Sequence, residues 1–247
     1  MKGSSLSILN GRVVIVTGAS SGIGAACAAS FVEKGARVVL AARRLDKLAS
    51  LVAQFEAAGG QAVAVTADVT DEDDVARLFA QALERFGTVD VLINNAGISG
   101  ATRIEELTLE TWRKVLDTNL TSAFLCARSA FPIMTAQGHG RIINIGSISA
   151  RVPRGASPAY TASKWGLDGL TRALAIDGRD RNIAVSIFHP GLVTSELSPQ
   201  AASLPDDLAA HPKDIADVIV HMADLPDHLN FYEALVVQNK IPFLGRG

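Results

Sequence analysis

The sequence predicts an α/β protein in which a doubly wound parallel sheet is covered by helices on both faces. Seven short runs rich in β-branched residues alternate with longer segments of helical pattern, and no linker or repeat divides the 247 residues. Strands that alternate with helices form right-handed βαβ units and pair in parallel. The predicted strands are 12–17, 37–42, 62–66, 89–95, 140–146, 183–190 and 234–238. We therefore expect one domain over residues 1–247, with seven strands in a single sheet.

Two of the predicted helices begin with recognisable capping signals. Thr70 precedes the acidic turn 71–74 in a capping-box arrangement. Thr108 opens a later helix that has Glu110 in its first turn. These signals place helices directly after the third predicted strand and after the fourth.

Composition limits the classes of function. Hydrophobic residues make up 48% of the chain and charged residues 19%, and the net charge is −2. There is thus no electrostatic basis for binding nucleic acid or an anionic membrane surface. No run of about 18 apolar residues occurs, and the start of the chain lacks the apolar segment of a signal peptide. We expect a cytoplasmic enzyme or binding domain with no nucleic-acid or membrane partner.

The cysteines and histidines give no sign of a metal site. Cys27 and Cys126 lie in Ala-rich helical segments without a CxxC pair, and the five histidines lack metal-ligand spacing. We expect reduced cysteines in the core, histidines that are either on the surface or satisfied by neighbours, and no bound metal.

The first predicted strand runs directly into a glycine-rich turn, TGASSGIG at 17–24, which is followed by a helix. Gly18 would permit the tight turn off the strand, Gly22 would let the backbone approach a pyrophosphate, and Gly24 would let the helix pack close to the sheet. The helix N-terminus would face the anion. A tight turn without a ligand is the alternative, whereas a P-loop is excluded because no Gly-Lys followed by Ser or Thr occurs there.

Further motifs follow in order along the chain. NNAG at 94–97 comes after the fourth strand, YTASK at 160–164 begins a helix after the fifth, and PGLVT occupies 190–194. Together with TGASSGIG, they make the chain similar to the short-chain dehydrogenase/reductase family, in its compact single-domain branch, over roughly residues 10 to 200. The resemblance implies a Rossmann-type domain that binds a nicotinamide dinucleotide.

The resemblance also implies which residues contact that dinucleotide. Asn95 and Gly97 would do so through the backbone, Lys164 would grip the nicotinamide ribose, and Asn94 would be a structural hydrogen-bonding residue. Simple turn residues are the alternative for the two asparagines. The implied cofactor-binding residues are Gly18, Ser20, Ser21, Gly22, Ile23, Gly24, Asp68, Val69, Asn95, Ala96, Gly97, Tyr160, Lys164, Pro190, Gly191, Val193 and Thr194.

Tyr160 and Lys164 are four residues apart on a predicted helix, so their side chains emerge on the same face. A free phenol has a pKa of about 10, and a neighbouring ammonium favours the phenolate and lowers that pKa. Tyr160 would then act as general acid in carbonyl reduction and as general base in alcohol oxidation. A solvated helix face is the alternative, but the glycine-rich turn upstream favours the catalytic interpretation.

Two more residues complete the predicted catalytic set. Ser147, at the carboxyl end of the fifth strand, would donate a hydrogen bond to the substrate carbonyl, where negative charge develops during reduction. The family position matches Ser147, while Ser149 would assist or merely terminate the strand. The resemblance implies that Asn119 holds a water that relays protons through Lys164. The other interpretation of Asn119 is a polar break in a long helix.

The end of the second strand bears on the choice of cofactor. Dinucleotide-binding units place an acidic residue there, about 20 residues after the glycine turn, to bind the ribose hydroxyls of NAD. Here that position is Ala42, and Arg43 follows it, which predicts a preference for NADP(H) over NAD(H). Ser21 stands where many NADP-binding members of the family have a second basic residue, so the preference would be moderate. Arg44 would either share this role or be solvated or paired with Asp46.

The remaining segments concern substrate and assembly. Residues 195–212, rich in Ser, Pro and Ala, are predicted to form a lid over the substrate pocket. Arg151 and Arg154 would face either an anionic substrate or solvent. The tail 239–247 would expose apolar side chains on a monomer, so we predict that it is buried in a homodimer or homotetramer. Those side chains are Ile241, Phe243 and Leu244.

These features predict an NADP(H)-dependent oxidoreductase that interconverts a carbonyl and an alcohol on a small molecule. A catalytically silent dinucleotide sensor is one alternative, although a sensor needs no Tyr-Lys pair. A sugar-nucleotide epimerase or dehydratase is another, although such enzymes usually carry a larger C-terminal substrate domain than the segment that follows PGLVT here.

Overall fold

Seven parallel strands form one sheet in the computed structural model, which describes residues 7–241. The strands are β1 (Val13–Thr17), β2 (Arg37–Ala42), β3 (Gln61–Thr66), β4 (Val91–Asn94), β5 (Gly140–Ile145), β6 (Ile183–Pro190) and β7 (Glu233–Val236). The helices are α1 (Gly22–Glu33), α2 (Leu45–Ala57), α3 (Glu72–Phe86), α4 (Leu109–Leu116), α5 (Ser122–Gln137), α6 (Pro158–Gly178) and α7 (Pro212–Ala223). The strand order is β3-β2-β1-β4-β5-β6-β7, and each neighbouring pair is parallel. The ends of β4 and β7 differ from the predicted limits, 89–95 and 234–238.

Burial explains why the runs of β-branched residues become strands. Every residue of β1 and of β6 is buried, as expected where helices cover both faces of a parallel sheet. On one face α1, α2 and α7 pack on the sheet, with Phe31, Leu48 and Ile219 fully buried. On the other face α3 and α5 contribute Leu78 and Met134. Burying one such side chain stabilises the fold by about 1.5–3 kcal/mol. The prediction of a doubly wound sheet with helices on both faces is confirmed.

One of the two predicted helix caps is correct. Thr108 is the N-cap of α4, where its hydroxyl accepts a hydrogen bond of 3.1 Å from the N–H of Thr111. At α3 the N-cap is Asp71, which accepts from the N–H of Asp74 at 2.9 Å, so the assignment of this role to Thr70 is wrong. Aspartate caps well and its charge also suits the positive end of the helix.

Helix α4 continues into α5 through a single π-helical turn, Asp117–Thr121. The wider turn carries Asn119, whose surface is 2% exposed. Such turns occur inside α-helices and are frequent at functional sites. The polar residue therefore lies in a widened turn and does not break the helix, which ends only at Gly138, a residue in left-handed conformation.

Both cysteines are buried, free thiols, as predicted. Burial raises the pKa of Cys126 to about 12 and also raises that of Cys27, so both thiols stay protonated and unreactive at neutral pH. Within residues 7–241, no group of three His, Cys, Asp or Glu side chains is arranged to hold a metal ion.

The predicted tail is only partly within the described residues. Ile241 is the last residue described and is partly buried, whereas Phe243 and Leu244 lie outside. Across the same described part of the chain, no helix is long and apolar enough to cross a membrane.

Candidate active site

A cleft of about 910 Å³ opens at the carboxyl edge of the sheet, where chain segments after β1, β2, β3 and β4 converge. The chain proceeds from β1 outward to β2 and β3, then returns to β4 on the other side of β1. In open α/β sheets a ligand binds at this reversal of strand order. The position and volume of the cleft suit an extended small molecule.

The glycine-rich turn forms one wall of the cleft. Gly18 has a φ of +63°, and a Cβ there would lie 2.9 Å from the Cα of Ala96. A Cβ on Gly24 would lie 2.4 Å from the carbonyl oxygen of Gly18, so only glycine lets α1 start this close to β1. Ser21, the N-cap of α1, makes no side-chain capping bond. The first amide groups of α1 therefore suit the phosphates of a dinucleotide.

Asn95 holds this turn in place. Its side-chain amide donates to the carbonyl oxygens of Thr17 and Gly18, at 2.9 and 3.2 Å. Its backbone N–H donates to the hydroxyl of Thr17 at 3.0 Å. The family resemblance implies only a backbone contact for Asn95, because the bracing of one loop by another is a tertiary feature. Asn94 is buried and donates to Asn144 at 2.9 Å, as a structural hydrogen-bonding residue does.

Most of the residues predicted to bind the cofactor line the cleft, but seven of them do not. Gly24 lies behind the turn. The segment that follows β6 forms its backbone hydrogen bonds away from the cleft, since the N–H of Thr194 donates to the carbonyl oxygen of Ala210 and the N–H of Gly191 to that of Val236. Those that line it are Gly18, Ser20, Ser21, Gly22, Ile23, Arg43, Asp68, Val69, Asn95, Ala96 and Gly97. Those outside its lining are Gly24, Tyr160, Lys164, Pro190, Gly191, Val193 and Thr194.

The two arginines after β2 differ in their surroundings. The side chain of Arg43 is 70% exposed, and its guanidinium lies 3.9 Å from the carboxylate of Asp68. Arg44 is also exposed, with 42% of its side-chain surface accessible, and it forms an ion pair of 2.9 Å with Glu196 in the predicted lid instead of with Asp46. The partner is distant in the sequence, and residue spacing carries no signal for it.

The predicted catalytic side chains lie together just behind the cleft. Tyr160 and Lys164 emerge from one face of α6, with the Lys164 ammonium 5.7 Å from the centroid of the Tyr160 ring. Ser147 follows β5 and is buried beside them. A Cβ on Gly97 would lie 3.8 Å from the Lys164 nitrogen, so the lysine lies next to a glycine that lines the cleft.

Burial dominates the protonation of this group. It raises the pKa of Tyr160, although the hydrogen bond with Ser147 and the positive charge of Arg154 oppose the rise. Burial also lowers the pKa of Lys164 to about 8. The expectation of a lowered phenol pKa is thus wrong for the chain alone. At neutral pH Tyr160 keeps its proton, which is the form that a general acid requires.

Both polar atoms of the Asn119 side chain form hydrogen bonds with neighbouring residues. Its Oδ1 accepts from the N–H of Ile98 at 2.8 Å, and its Nδ2 donates to the carbonyl oxygen of Ile98 and to the hydroxyl of Ser163, each at 3.0 Å. These bonds join the π-helical turn to the loop after β4 and to α6. Asn119 is thereby fixed next to Gly97, whose added Cβ would lie 3.3 Å from its Oδ1.

His189 is a site residue that the sequence does not reveal, because nothing in its local pattern distinguishes it from a histidine on the surface or one satisfied by neighbours. It is fully buried at the end of β6, and its Nδ1 lies 3.2 Å from the backbone nitrogen and 3.0 Å from the backbone oxygen of Ser147. Among the described residues its Nε2 has no hydrogen-bond partner, and the nearest carboxylate, Glu233, is 3.7 Å away. Burial lowers the pKa of His189, so the ring is neutral at neutral pH.

The two arginines of the loop after β5 have different roles. Arg151 pairs with Asp168 at 3.3 Å and with Glu233 at 2.5 Å, so its partner is neither a substrate nor solvent. Arg154 lies over the Tyr160 ring, 5.8 Å from its centroid. Of these two arginines, Arg154 is therefore the one whose charge lies next to the predicted catalytic tyrosine.

Comparisons with known proteins agree with this geometry. The sequence matches the model that describes short chain dehydrogenases over residues 12–204. A 3-oxoacyl-(acyl-carrier-protein) reductase from Synechocystis sp. is 34% identical over 228 residues, which cover 90% of this chain and 92% of that protein. A cis-4-hydroxycyclohexanecarboxylate dehydrogenase from Sinomonas cyclohexanicum is 38% identical over 224 residues, covering 86% and 89%. A crystal structure of a metagenomic short-chain oxidoreductase in complex with NADP superposes with a TM-score of 0.82 at 36% identity, covering 92% of this chain and 97% of that one.

Proposed function

Since the chain belongs to the short-chain dehydrogenase/reductase family, and is thus a carbonyl/alcohol oxidoreductase, we propose that it uses NADP(H) and that Tyr160 is its general acid and base. The substrate is a small molecule with a ketone, an aldehyde or the corresponding alcohol. The observation that carries the proposal is the buried cluster of Tyr160, Lys164 and Ser147 directly behind the cleft.

Each member of the cluster has a chemical role. A bound nicotinamide dinucleotide would supply or accept the hydride. Ser147 donates a hydrogen bond to the substrate oxygen, and Tyr160 gives that oxygen its proton in reduction and takes it back in oxidation. Burial lowers the pKa of Lys164 to about 8, so the lysine is charged at neutral pH and favours the phenolate left on Tyr160. Asn119 holds the adjoining backbone in place through its bonds to Ile98.

The choice of NADP(H) is supported by the residues after β2. Ala42 occupies the position where a carboxylate would bind the ribose hydroxyls of NAD, and two arginines follow it. Arg44 donates to the hydroxyls of Ser20 and Ser21, at 2.9 and 3.0 Å, and all three line the cleft. A guanidinium with neighbouring hydroxyls suits a 2′-phosphate. The similar metagenomic oxidoreductase has NADP bound.

We further propose that the enzyme is a homodimer or homotetramer. Phe124 on α5 and Trp165 on α6 leave 42% and 49% of their surface exposed. Large apolar side chains exposed on helices are typical of interfaces between subunits. Light scattering at micromolar concentration tests this, and a monomeric mass would contradict it.

The decisive test follows NADPH oxidation by absorbance against a panel of carbonyl compounds: a 3-oxoacyl thioester, 4-oxocyclohexanecarboxylate and an aromatic aldehyde. We expect turnover on at least one compound, and Tyr160→Phe should lower kcat at least about a hundredfold because the proton donor is lost. Tyr232→Phe is the matched control, since Tyr232 lies beside β7 and not in the cluster. Equal rates in both variants would contradict the role of Tyr160. Tight NADPH binding without any turnover would instead favour a dinucleotide sensor.

A further inference from the structure

A carboxylate from the predicted lid lies on the anion-binding side chains of the cleft. Glu196 accepts hydrogen bonds from Nη1 of Arg44 at 3.1 Å and from the hydroxyl of Ser21 at 3.1 Å. The second guanidinium nitrogen, Nη2, lies 2.9 Å from its other oxygen, Oε2. Arg44 thus holds the carboxylate with both terminal nitrogens, which is the strong geometry for an arginine and an oxyanion.

These contacts occupy the side chains that would hold a 2′-phosphate. Arg44, the N-cap of α2, also donates to the hydroxyl of Ser20 at 2.9 Å, so its guanidinium connects the start of α2 with the glycine-rich turn and with the lid. In dinucleotide-binding units the adenosine ribose lies between that turn and the end of β2. Glu196 itself lines the cleft, next to Ser195 and Leu197.

The charge of Glu196 is stable at neutral pH. The hydrogen bonds from Arg44, and then from Ser21, hold its pKa below the ordinary value, and the pair raises the pKa of Arg44. A 2′-phosphate that bound here would meet a full negative charge on the same arginine. A 2′-hydroxyl would not, because a hydroxyl can donate a hydrogen bond to a carboxylate.

We propose that Glu196 is a specificity-determining residue that reduces the preference for NADP(H), by holding Arg44 and Ser21 in an internal ion pair that a 2′-phosphate must displace. Glu196 then supplies from the lid the negative charge that position 42 lacks. The inference rests on the proposed dinucleotide site, and it concerns the balance between two cofactors of that site.

The experiment measures the Kd values of NADPH and NADH by isothermal titration calorimetry, for the wild type, Glu196→Gln and Asp206→Asn. Asp206 is the matched control because it is another lid carboxylate, 3.1 Å from His211 and outside the cleft lining. We expect Glu196→Gln to bind NADPH about three- to tenfold more tightly, with NADH changed less than about twofold. Adenosine 2′,5′-bisphosphate should show the same gain and 5′-AMP none, which confines the effect to the 2′ position.

The outcomes separate this inference from the proposed function. Equal tightening of both dinucleotides by Glu196→Gln would overturn it, because Glu196 would then obstruct the whole cleft. The same gain in Asp206→Asn would also overturn it, because only the overall charge of the lid would then matter. A ratio of the NADPH and NADH Kd values that does not change in Glu196→Gln would overturn it as well. If the wild type bound neither dinucleotide, the proposed function would fail and this inference with it.

Discussion

The ammonium of Lys164 donates a hydrogen bond of 2.7 Å to the carbonyl oxygen of Ile145, which ties helix α6 to the last residue of β5. The contact holds the lysine in place but does not make up for its lost hydration, since burial still lowers the pKa of Lys164 to about 8. Among the described residues Ile145 is its one hydrogen-bond partner, and a buried cation held by a single carbonyl destabilises the fold, a cost that the proposed role of Lys164 would explain.

Replacing this lysine should therefore stabilise the protein. We expect Lys164→Met to raise the free energy of unfolding at pH 7 by about 1–3 kcal/mol, while removing activity. The folded-state pKa lies below the unfolded value, so the penalty is complete below about pH 8 and shrinks as pH rises towards the unfolded pKa of about 10.4. Urea unfolding at pH 7 and at pH 9.5 measures both effects.

The control for this prediction is Lys34→Met, which removes an exposed lysine at the end of α1. It should change stability little and show no such dependence on pH. A Lys164→Met protein that is less stable than the wild type at both pH values would contradict the prediction.

Arg154 should set the pH range of the oxidation reaction through its position over the Tyr160 ring. Its charge lowers the pKa of Tyr160, so Arg154→Gln should raise that pKa, and the phenolate base should then form only at higher pH. We expect the alkaline rise of kcat/KM for alcohol oxidation to move up by about half a pH unit. Arg103→Gln removes a second arginine from the same surface pocket and is the control. Identical profiles for wild type and Arg154→Gln would refute the coupling.

The sequence predicts the scaffold well because local physics determines it. Alternating β-branched runs and helical segments specify the parallel sheet, and Gly18 and Gly24 mark the turn at β1 by their spacing. The pairing of Arg44 with Glu196 and the contact of His189 with Ser147 join residues far apart in the chain. Periodicity carries no signal for such contacts. Tyr160 illustrates the same limit, since its pKa depends on burial and spacing reveals only its neighbour.

His189 should position Ser147 for catalysis. His189→Leu leaves the backbone N–H of Ser147 without its ring partner, and we expect kcat to fall about tenfold with KM and NADPH affinity nearly unchanged. His189→Asn places an amide close to the Nδ1 position and should recover most of the rate. Steady-state kinetics on the best carbonyl substrate separates kcat from KM.

Another buried polar residue of β6 gives the comparison for His189. Ser186→Ala removes the hydrogen bond of 2.7 Å to Asn230, so it should lower stability and leave kcat unchanged. Equal losses of kcat in His189→Leu and His189→Asn would show that the histidine only fills space.

Asp90 should govern stability in acid because its carboxylate, just before β4, connects the start of β1 with the segment before β5. Its carboxylate accepts from the N–H of Val13 at 2.7 Å, from Arg12 at 3.0 Å and from His139 at 2.7 Å. Burial alone would raise its pKa, but these bonds outweigh burial and hold the pKa below the ordinary value. We expect Asp90→Asn to reduce the free energy of unfolding at pH 7 by about 2–3 kcal/mol.

The pH dependence distinguishes this charge from simple packing. Since the folded pKa of Asp90 is depressed, its contribution is complete above the unfolded pKa of about 3.9 and is lost as pH falls through the folded pKa. The stability difference between wild type and Asp90→Asn should therefore narrow below about pH 4, as measured by urea unfolding. Asp180→Asn, an exposed substitution after α6, should show no difference at either pH. A gap between wild type and Asp90→Asn that stays constant into acid would mean that the amide fails for steric reasons and that the charge of Asp90 contributes nothing.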